Sequence, residues 1–171
     1  VYGPYSNVSL QTLGGGAGAD WGNFRRQVMG NYTQVTGGRG GTAVHVTRRD
    51  DTGGTGSLRW AGAQSNAVVV FDVSGEFAID SPMVFSGSNV TIAGQTAPPP
   101  GVFLRANGSF DRYTDVTLLG DNIIMQHVAL RYGDVCSTGL IAQGSDILCD
   151  HVSCSWHQDE GFTDYVGQRH M

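Results

Sequence analysis

Asp134, Asp159, Glu160 and Asp164 are the residues whose type and spacing suit metal chemistry most directly. A pattern in this part of the chain recurs after 24 residues, and adding 24 to Asp134 gives position 158, beside Asp159 and Glu160. Carboxylates stacked about 5 Å apart repel and raise each other's pKa unless a cation lies between them, and convergent oxygen ligands suit calcium. The spacing therefore predicts a calcium site. The alternative is that Asp134 and Asp159 are ordinary turn residues.

The recurring pattern occupies residues 122–132 and 146–156, and both copies are rich in β-branched and apolar residues without a helical period. A repeat of this length is typical of a stacked solenoid. In a β-helix each coil lies about 4.8 Å above the last, so residues 24 apart become vertical neighbours. The pattern predicts an all-β protein, a single-stranded right-handed parallel β-helix. The aligned pairs are Ile123 with Ile147, His127 with His151, Val128 with Val152, and Tyr132 with Trp156.

The two histidines of the repeat should stack along the coil as satisfied, buried imidazoles. A zinc site formed by His127, His151 and Cys154 is the alternative, but stacked positions form a column and not a tetrahedron. Tyr132 over Trp156 predicts an aromatic ladder in the core or wall, which near the carboxylates could also support a sugar ring. Arg131 and Trp156 are therefore the candidate substrate-binding residues.

The elements before the repeat fit the same solenoid. Alternating Val44 and Val46 predict a strand, and Ser57 is a suitable cap for a single helical turn that plugs the first coil. The apolar run 67–73 is typical of a strand buried on both sides, whereas 95–101, with three prolines, must be a loop. We predict a lead-in or capping segment at 1–36 and β-helix coils at 37–171. The predicted core positions are Val69, Phe71, Val90, Ile92, Ile124, Val128 and Leu148.

Composition excludes several classes of protein. Gly supplies 26 of 171 residues and charged residues only 15%, which suits tight turns between short strands. The net charge of -5 argues against nucleic acid as a partner, and no stretch has the roughly 20 apolar residues of a membrane span. An acidic polymer would need a bridging cation or a local arginine cluster.

Sequons and cysteines bear on the compartment. The four Asn-x-Ser/Thr sites exceed the number expected by chance and favour a secreted, extracellular glycoprotein. Among the three cysteines, a bridge from Cys136 to Cys149 or Cys154 and three buried thiols are both open. The predicted glycosylation sites are Asn7, Asn31, Asn89 and Asn107.

Four stretches in one order resemble the pectate lyase-like polysaccharide lyases, over about three quarters of the chain. They are residues 36–41 with 46–47 and 56–59, residues 70–75, residues 89–98, and residues 150–156 with 159–160. The resemblance implies a right-handed parallel β-helix and calcium-assisted β-elimination of an acidic, polygalacturonate-like polysaccharide. It also implies that Glu160 and Asp164, with the family's carboxylate-x-x-x-carboxylate spacing, hold the metal, and that an arginine removes the substrate proton.

Departures from the family pattern limit what the isolated chain should do. The region 136–140 lacks one family metal ligand unless Asp134 replaces it, and Arg169 lies too close to the carboxylates to match the catalytic arginine. The chain resembles an N-terminal portion with that arginine beyond it, and it should be inactive alone. A β-helix truncated at its C-terminal end exposes unpaired edges, which predicts association through that open coil. The alternative function is a non-catalytic β-helical module that binds polysaccharide or self-assembles.

Overall fold

The fold is a parallel β-helix, as predicted. The computed structural model describes residues 35–107, 116–132 and 138–164. In them the chain winds through three parallel sheets, which have the strand orders β1-β2-β5-β8-β11, β3-β6-β9-β12 and β4-β7-β10-β13. The strands are β1 Thr42–Val46, β2 Ala67–Phe71, β3 Gly75–Ile79, β4 Met83–Phe85, β5 Val90–Ala93, β6 Val102–Ala106, β7 Val116–Leu118, β8 Ile123–Gln126, β9 Val128–Arg131, β10 Leu140–Ala142, β11 Ile147–Asp150, β12 Ser153–Ser155 and β13 Phe162–Asp164. Helices in these residues are limited to α1, Leu58–Gly62, and a 3-10 turn, Gly94–Thr96.

The register of the ladders matches the sequence repeat. Ile123 pairs with Ile147, and Ser153 pairs with Ala129, so the whole second copy lies one coil above the first. The earlier coil from Ala67 to Val90 advances by 23 residues, close to the predicted spacing. The vertical neighbours inferred from the repeat are therefore confirmed.

The core fills the inside of the coil with one apolar side chain from every second strand residue. Val69, Phe71, Val90, Ile92 and Val128 belong to it, as predicted. One predicted position was wrong, because Leu148 is only half-buried; Ile124 is buried, as predicted, but lies outside the main core cluster. Their neighbours Ile123, Met125 and Ile147 face inward instead, because side chains alternate between the two faces of a strand.

Strand β2 corrects a second expectation. Its apolar sequence suggested burial on both faces, yet burial alternates along Ala67–Phe71, with Val68 and Val70 only half-buried. The outer face of this sheet is therefore not a second core. The predicted strand around Val44 and Val46 is present as β1, and the proline-containing segment after the 3-10 turn is a loop.

Helix α1 closes the first coil, as predicted. The Ser57 side chain accepts a hydrogen bond from the Trp60 amide, and Leu58 and Ala61 join the core cluster. Arg59 makes a bidentate pair with Asp51 at 2.6 and 2.7 Å, and the Asp51 side chain is only 2% exposed. Arg59 also donates to the carbonyl oxygens of Ser81 and Pro82, so the plug is fastened to the chain before β4.

The residue before each of β2, β5, β8 and β11 in the largest sheet has a positive φ. Asn66, Asn89 and Asn122 occupy this position in successive coils. The Asn89 amide donates to Asn66 Oδ1 at 3.0 Å, and the Asn122 amide donates to Asn89 Oδ1 at 2.9 Å. The Asn122 side chain also accepts from the amides of Thr36 and Gly37. A Cβ on Gly38 would lie 1.8 Å from the Ala67 carbonyl oxygen, so only glycine lets this segment lie so close to the sheet.

The helices of the described residues are all too short or too polar to cross a membrane. The proposed boundary between a lead-in at 1–36 and the coils stays a prediction.

Candidate functional site

Three of the four predicted metal-binding carboxylates lie on the last described coil. Asp159 and Glu160 occupy the exposed turn before β13, and Asp164 is the last residue of that strand. The Thr163 hydroxyl donates to Glu160, and the Gly139 amide donates to the Glu160 carbonyl oxygen at 2.8 Å. The turn is thereby tied to β10. Asp134, the fourth carboxylate, lies outside the described residues.

The carboxylates of this turn do not form a compact ligand set in the described part of the chain. The one set of three metal-ligating side chains found there with all ligand atoms within 4.8 Å is His127, Asp150 and His151. Strand register places Asp164 beside Ala142, whereas Glu160 lies at the other end of the strand. Calcium binding by Asp134, Asp159, Glu160 and Asp164 stays a prediction.

The two predicted substrate-binding residues differ, because Arg131 makes several hydrogen bonds whereas Trp156 is largely exposed. Arg131 donates to the carbonyl oxygens of Leu130 and Ser153 and to the Ser153 hydroxyl, at 2.8 to 3.0 Å. Its guanidinium group therefore joins β9 to β12. Trp156 is 67% exposed and has a φ of 62°, which is rare for a bulky residue.

The aromatic ladder inferred for Tyr132 and Trp156 is wrong. Tyr132 is buried in the core cluster, and Trp156 is an exposed residue one coil above it. The positive φ of Trp156 turns the second copy of the repeat away from the path of the first. Trp156 thus shares the exposed turn with Asp159 and Glu160 rather than the core with Tyr132.

The histidine column is present, but on the surface. The rings of His127 and His151 stack with centroids 4.5 Å apart and planes 14° from parallel. Both residues have a φ of 54° and lie at the corner between two sheets, directly after β8 and β11, which turns their side chains away from the core. The expected buried imidazole is wrong for His151, whose side chain is 58% exposed.

Asp150 completes this cluster. One carboxylate oxygen lies 2.6 Å from His151 Nδ1, and the other accepts from the Gln126 amide at 3.1 Å. Gln126 in turn accepts from Gln95 at 3.0 Å. A row of side chains along the corner therefore holds the Asp150 carboxylate toward His151.

Cys154 is not part of the histidine cluster. Cys149 and Cys154 are both free thiols that pack against the core, so neither belongs to a disulfide, and Cys136 lies outside the described residues. Burial and the neighbouring Cys154 raise the pKa of Cys149 to about 12. Burial raises the pKa of Cys154 to about 11, against a smaller lowering by Arg131. The alternative zinc site with Cys154 as a ligand is therefore not formed in this structure.

The sequons differ in their surroundings. The Asn89 amide belongs to the asparagine ladder, and the exposed Asn107 amide donates to Asp80 at 2.7 Å. Asn7 and Asn31 lie outside the described residues. Glycosylation at all four stays a prediction.

Sequence reasoning missed Asp150 and its supporting amides as one constellation. The signal was available in part, because Gln126 and Asp150 are separated by the same 24 residues as the histidines. The contribution of Gln95 had no such signal, since it comes from the 3-10 turn after β5, where the repeat is interrupted.

Comparison with known proteins gives the chain its relatives. No protein-family model matches it. It is 40% identical over 134 residues to a protein of Emericella nidulans named probable pectate lyase C, and equally identical over 134 residues to the protein of that name from Aspergillus terreus. The Aspergillus oryzae protein of that name is 39% identical over 134 residues. Each match covers 75% of this chain and 30% of the relative.

The chain thus spans about 30% of the length of these curated relatives. Its parallel β-helix is the fold that the resemblance implied, and the matched residues amount to three quarters of the chain. By sequence identity and by fold, the chain is homologous to one part of the fungal proteins named probable pectate lyase C.

Proposed function

We propose that this chain is part of a pectate lyase-type polysaccharide lyase that cleaves an acidic, polygalacturonate-like polymer by calcium-assisted β-elimination. The observation that carries the proposal is the 40% identity over 75% of the chain to proteins named probable pectate lyase C. The net charge of -5 agrees with a site that needs a bridging cation to hold a polyanion. An extracellular location accords with that substrate.

The turn between β12 and β13 is the proposed metal and substrate side. It carries Asp159 and Glu160 as exposed oxygen ligands and Trp156 as an exposed aromatic surface. Oxygen ligands of this kind suit calcium, and an aromatic ring with one open face suits a sugar. Asp134 and Asp164 complete the proposed ligand set, and Arg131 lies on the neighbouring strand.

The proposed mechanism assigns distinct tasks to these groups. The carboxylates would hold calcium, which would supply positive charge beside the substrate's uronate groups and make the hydrogen next to the carboxyl carbon more acidic. The base would be an arginine, as the resemblance implies. We place it outside this chain, because Arg131 is bound to Ser153 and Arg169 lies too close in sequence to the carboxylates. The chain by itself would therefore bind polymer without cleaving it.

A binding measurement tests the proposal. We expect the 171-residue chain to bind polygalacturonate in calcium and to release it when calcium is chelated. Glu160→Gln should weaken this binding, because it removes a charged ligand from the turn. Glu76→Gln is a matched control, since Glu76 lies on β3, three strands away from β12 in their shared sheet, and pairs with Arg105.

Two results would contradict the proposal. Equal binding by the Glu160→Gln and Glu76→Gln variants would remove the turn from the site. Formation of ultraviolet-absorbing unsaturated product by the isolated chain would show that the base lies within these residues.

A further inference from the structure

The corner between the sheets of β11 and β12 combines three side chains that suit a metal other than calcium. The ligand atoms of His127, Asp150 and His151 all lie within 4.8 Å of one another. Two imidazoles with one carboxylate form a donor set that favours zinc, copper or nickel, whereas calcium takes oxygen ligands. We propose that this corner is a surface site for a divalent transition ion of the zinc type.

The contact between Asp150 and His151 prepares the imidazole for this role. Asp150 Oδ1 lies 2.6 Å from His151 Nδ1, so an ion that displaces the proton between these two atoms would be bound by the carboxylate and the imidazole together. Gln126 holds the other carboxylate oxygen at 3.1 Å and is itself held by Gln95. The carboxylate is therefore positioned before any ion arrives.

The stack of imidazoles supplies the second nitrogen. The ring centroids are 4.5 Å apart, whereas two nitrogens bound to one tetrahedral zinc ion at about 2.0–2.1 Å lie roughly 3.4 Å from each other. The His151 side chain is 58% exposed, so its ring can tilt out of the parallel stack to bring its nitrogen toward the ion. Binding should thus change the ring geometry without moving the strands.

The space beside the histidines is open to further ligands. A shallow depression of about 440 Å³ is lined by His127 and His151 together with Gln95, Phe103 and Ser153. An ion at the corner would keep coordination positions toward this depression for water. The site is separate from the turn that carries Glu160, which lies between β12 and β13.

A metal here would join two successive coils. His127 lies between β8 and β9, and His151 lies between β11 and β12, one coil above. An ion that binds only the folded arrangement stabilises it by mass action. The site would therefore fasten the coil of β11 and β12 to the coil beneath.

Thermal unfolding with zinc chloride or calcium chloride tests the proposal, at a pH above the usual imidazole value of about 6.5. We expect zinc to raise the melting temperature by more than calcium does. His127→Ala and Asp150→Asn should lower zinc affinity by about tenfold or more. The matched control is His45→Ala, because His45 Nδ1 also lies 3.0 Å from a carboxylate, that of Asp72, yet no histidine in the described part of the chain stacks on it.

A second measurement needs no variant. Substoichiometric copper added to the isotopically labelled chain should broaden amide signals of residues 126–128 and 150–152 before others. Broadening centred elsewhere would overturn the proposal. So would zinc stabilisation that survives in the His127→Ala and Asp150→Asn variants, or the absence of any stabilisation by zinc in the unmodified chain.

Discussion

The two ends of the described β-helix differ in how well their core side chains are covered. At the first end, helix α1 inserts Leu58 and Ala61 into the core, and a buried ion pair ties it down. At the other end, the inward residues Cys149, Val152 and Cys154 are only partly buried, and Phe162 is 38% exposed. The stability of a solenoid is therefore local, since each coil contacts only its neighbours and its cap.

Removing the buried ion pair of the first end should have the largest effect. Asp51→Asn leaves Arg59 without its carboxylate in a largely buried setting, and breaking such a pair costs about 3–5 kcal/mol. Urea denaturation of the variant measures the loss. Glu76→Gln, which breaks the exposed pair with Arg105, should cost about 1 kcal/mol or less. Equal losses would show that burial does not distinguish the two pairs.

Truncating an apolar side chain at each end should have the next largest effect on the free energy of unfolding, and the effect should differ between the ends. Leu58→Ala opens a cavity in the plugged end and should lower the free energy of unfolding by about 2–5 kcal/mol. Val152→Ala, on the half-buried last coil, should lower it by about 1 kcal/mol, because less of its surface leaves water on folding. The same chemical denaturation measures both, and a larger loss for Val152→Ala would reverse the comparison.

Adding a methyl group offers a milder version of the same test. In Gly62→Ala the new Cβ would lie 2.5 Å from Phe85 Cδ1 in the core, and overpacking costs about 1–3 kcal/mol, against a helix-propensity gain of up to about 1 kcal/mol. In Gly161→Ala the Cβ meets His157 Nε2 at 2.6 Å. This half-buried ring can move aside, so we expect a smaller fall in melting temperature. A larger fall for Gly161→Ala would contradict this view of the last coil.

Alkylation of the thiols on the last described coil tests the comparison with the smallest and most local expected effect. With a pKa of about 12 for Cys149 and about 11 for Cys154, few thiolates form at neutral pH. We expect slow alkylation of the native chain and fast alkylation in denaturant, measured by mass spectrometry in a Cys136→Ser background. Fast native alkylation would show that the last coil opens readily.

The same pKa shifts set a pH dependence. The pKa values of both thiols are raised in the folded state. Above about pH 9, near the usual thiol pKa, the unfolded chain therefore releases protons that the folded chain keeps. Stability should therefore fall as pH rises from about 9 toward the folded values, whereas below this range the thiols contribute no slope. Replacing both Cys149 and Cys154 by Ala should remove that part of the alkaline loss.

The sequence by itself determined the architecture of this protein. A 24-residue repeat, with Ile123 over Ile147 and His127 over His151, is enough to assign a parallel coil and its register, because strand spacing makes repeated residues vertical neighbours. The helix α1 that plugs the first coil could also be predicted from the sequence, since Ser57 before Leu58 is a local capping signal. The relationship to pectate lyase-like proteins rested on the same ordered motifs.

Only the tertiary structure decided which way the side chains point. A repeat shows that two residues share a column but not whether the column faces the core, and each corner residue with positive φ resets the alternation. For this reason sequence alone misplaces Leu148 in the core and the histidines in the interior, and it does not show that Trp156 is exposed while Tyr132 is buried. The meeting of Asp150 with Gln126, Gln95 and two imidazoles likewise depends on a loop and two coils that come together only when the chain winds.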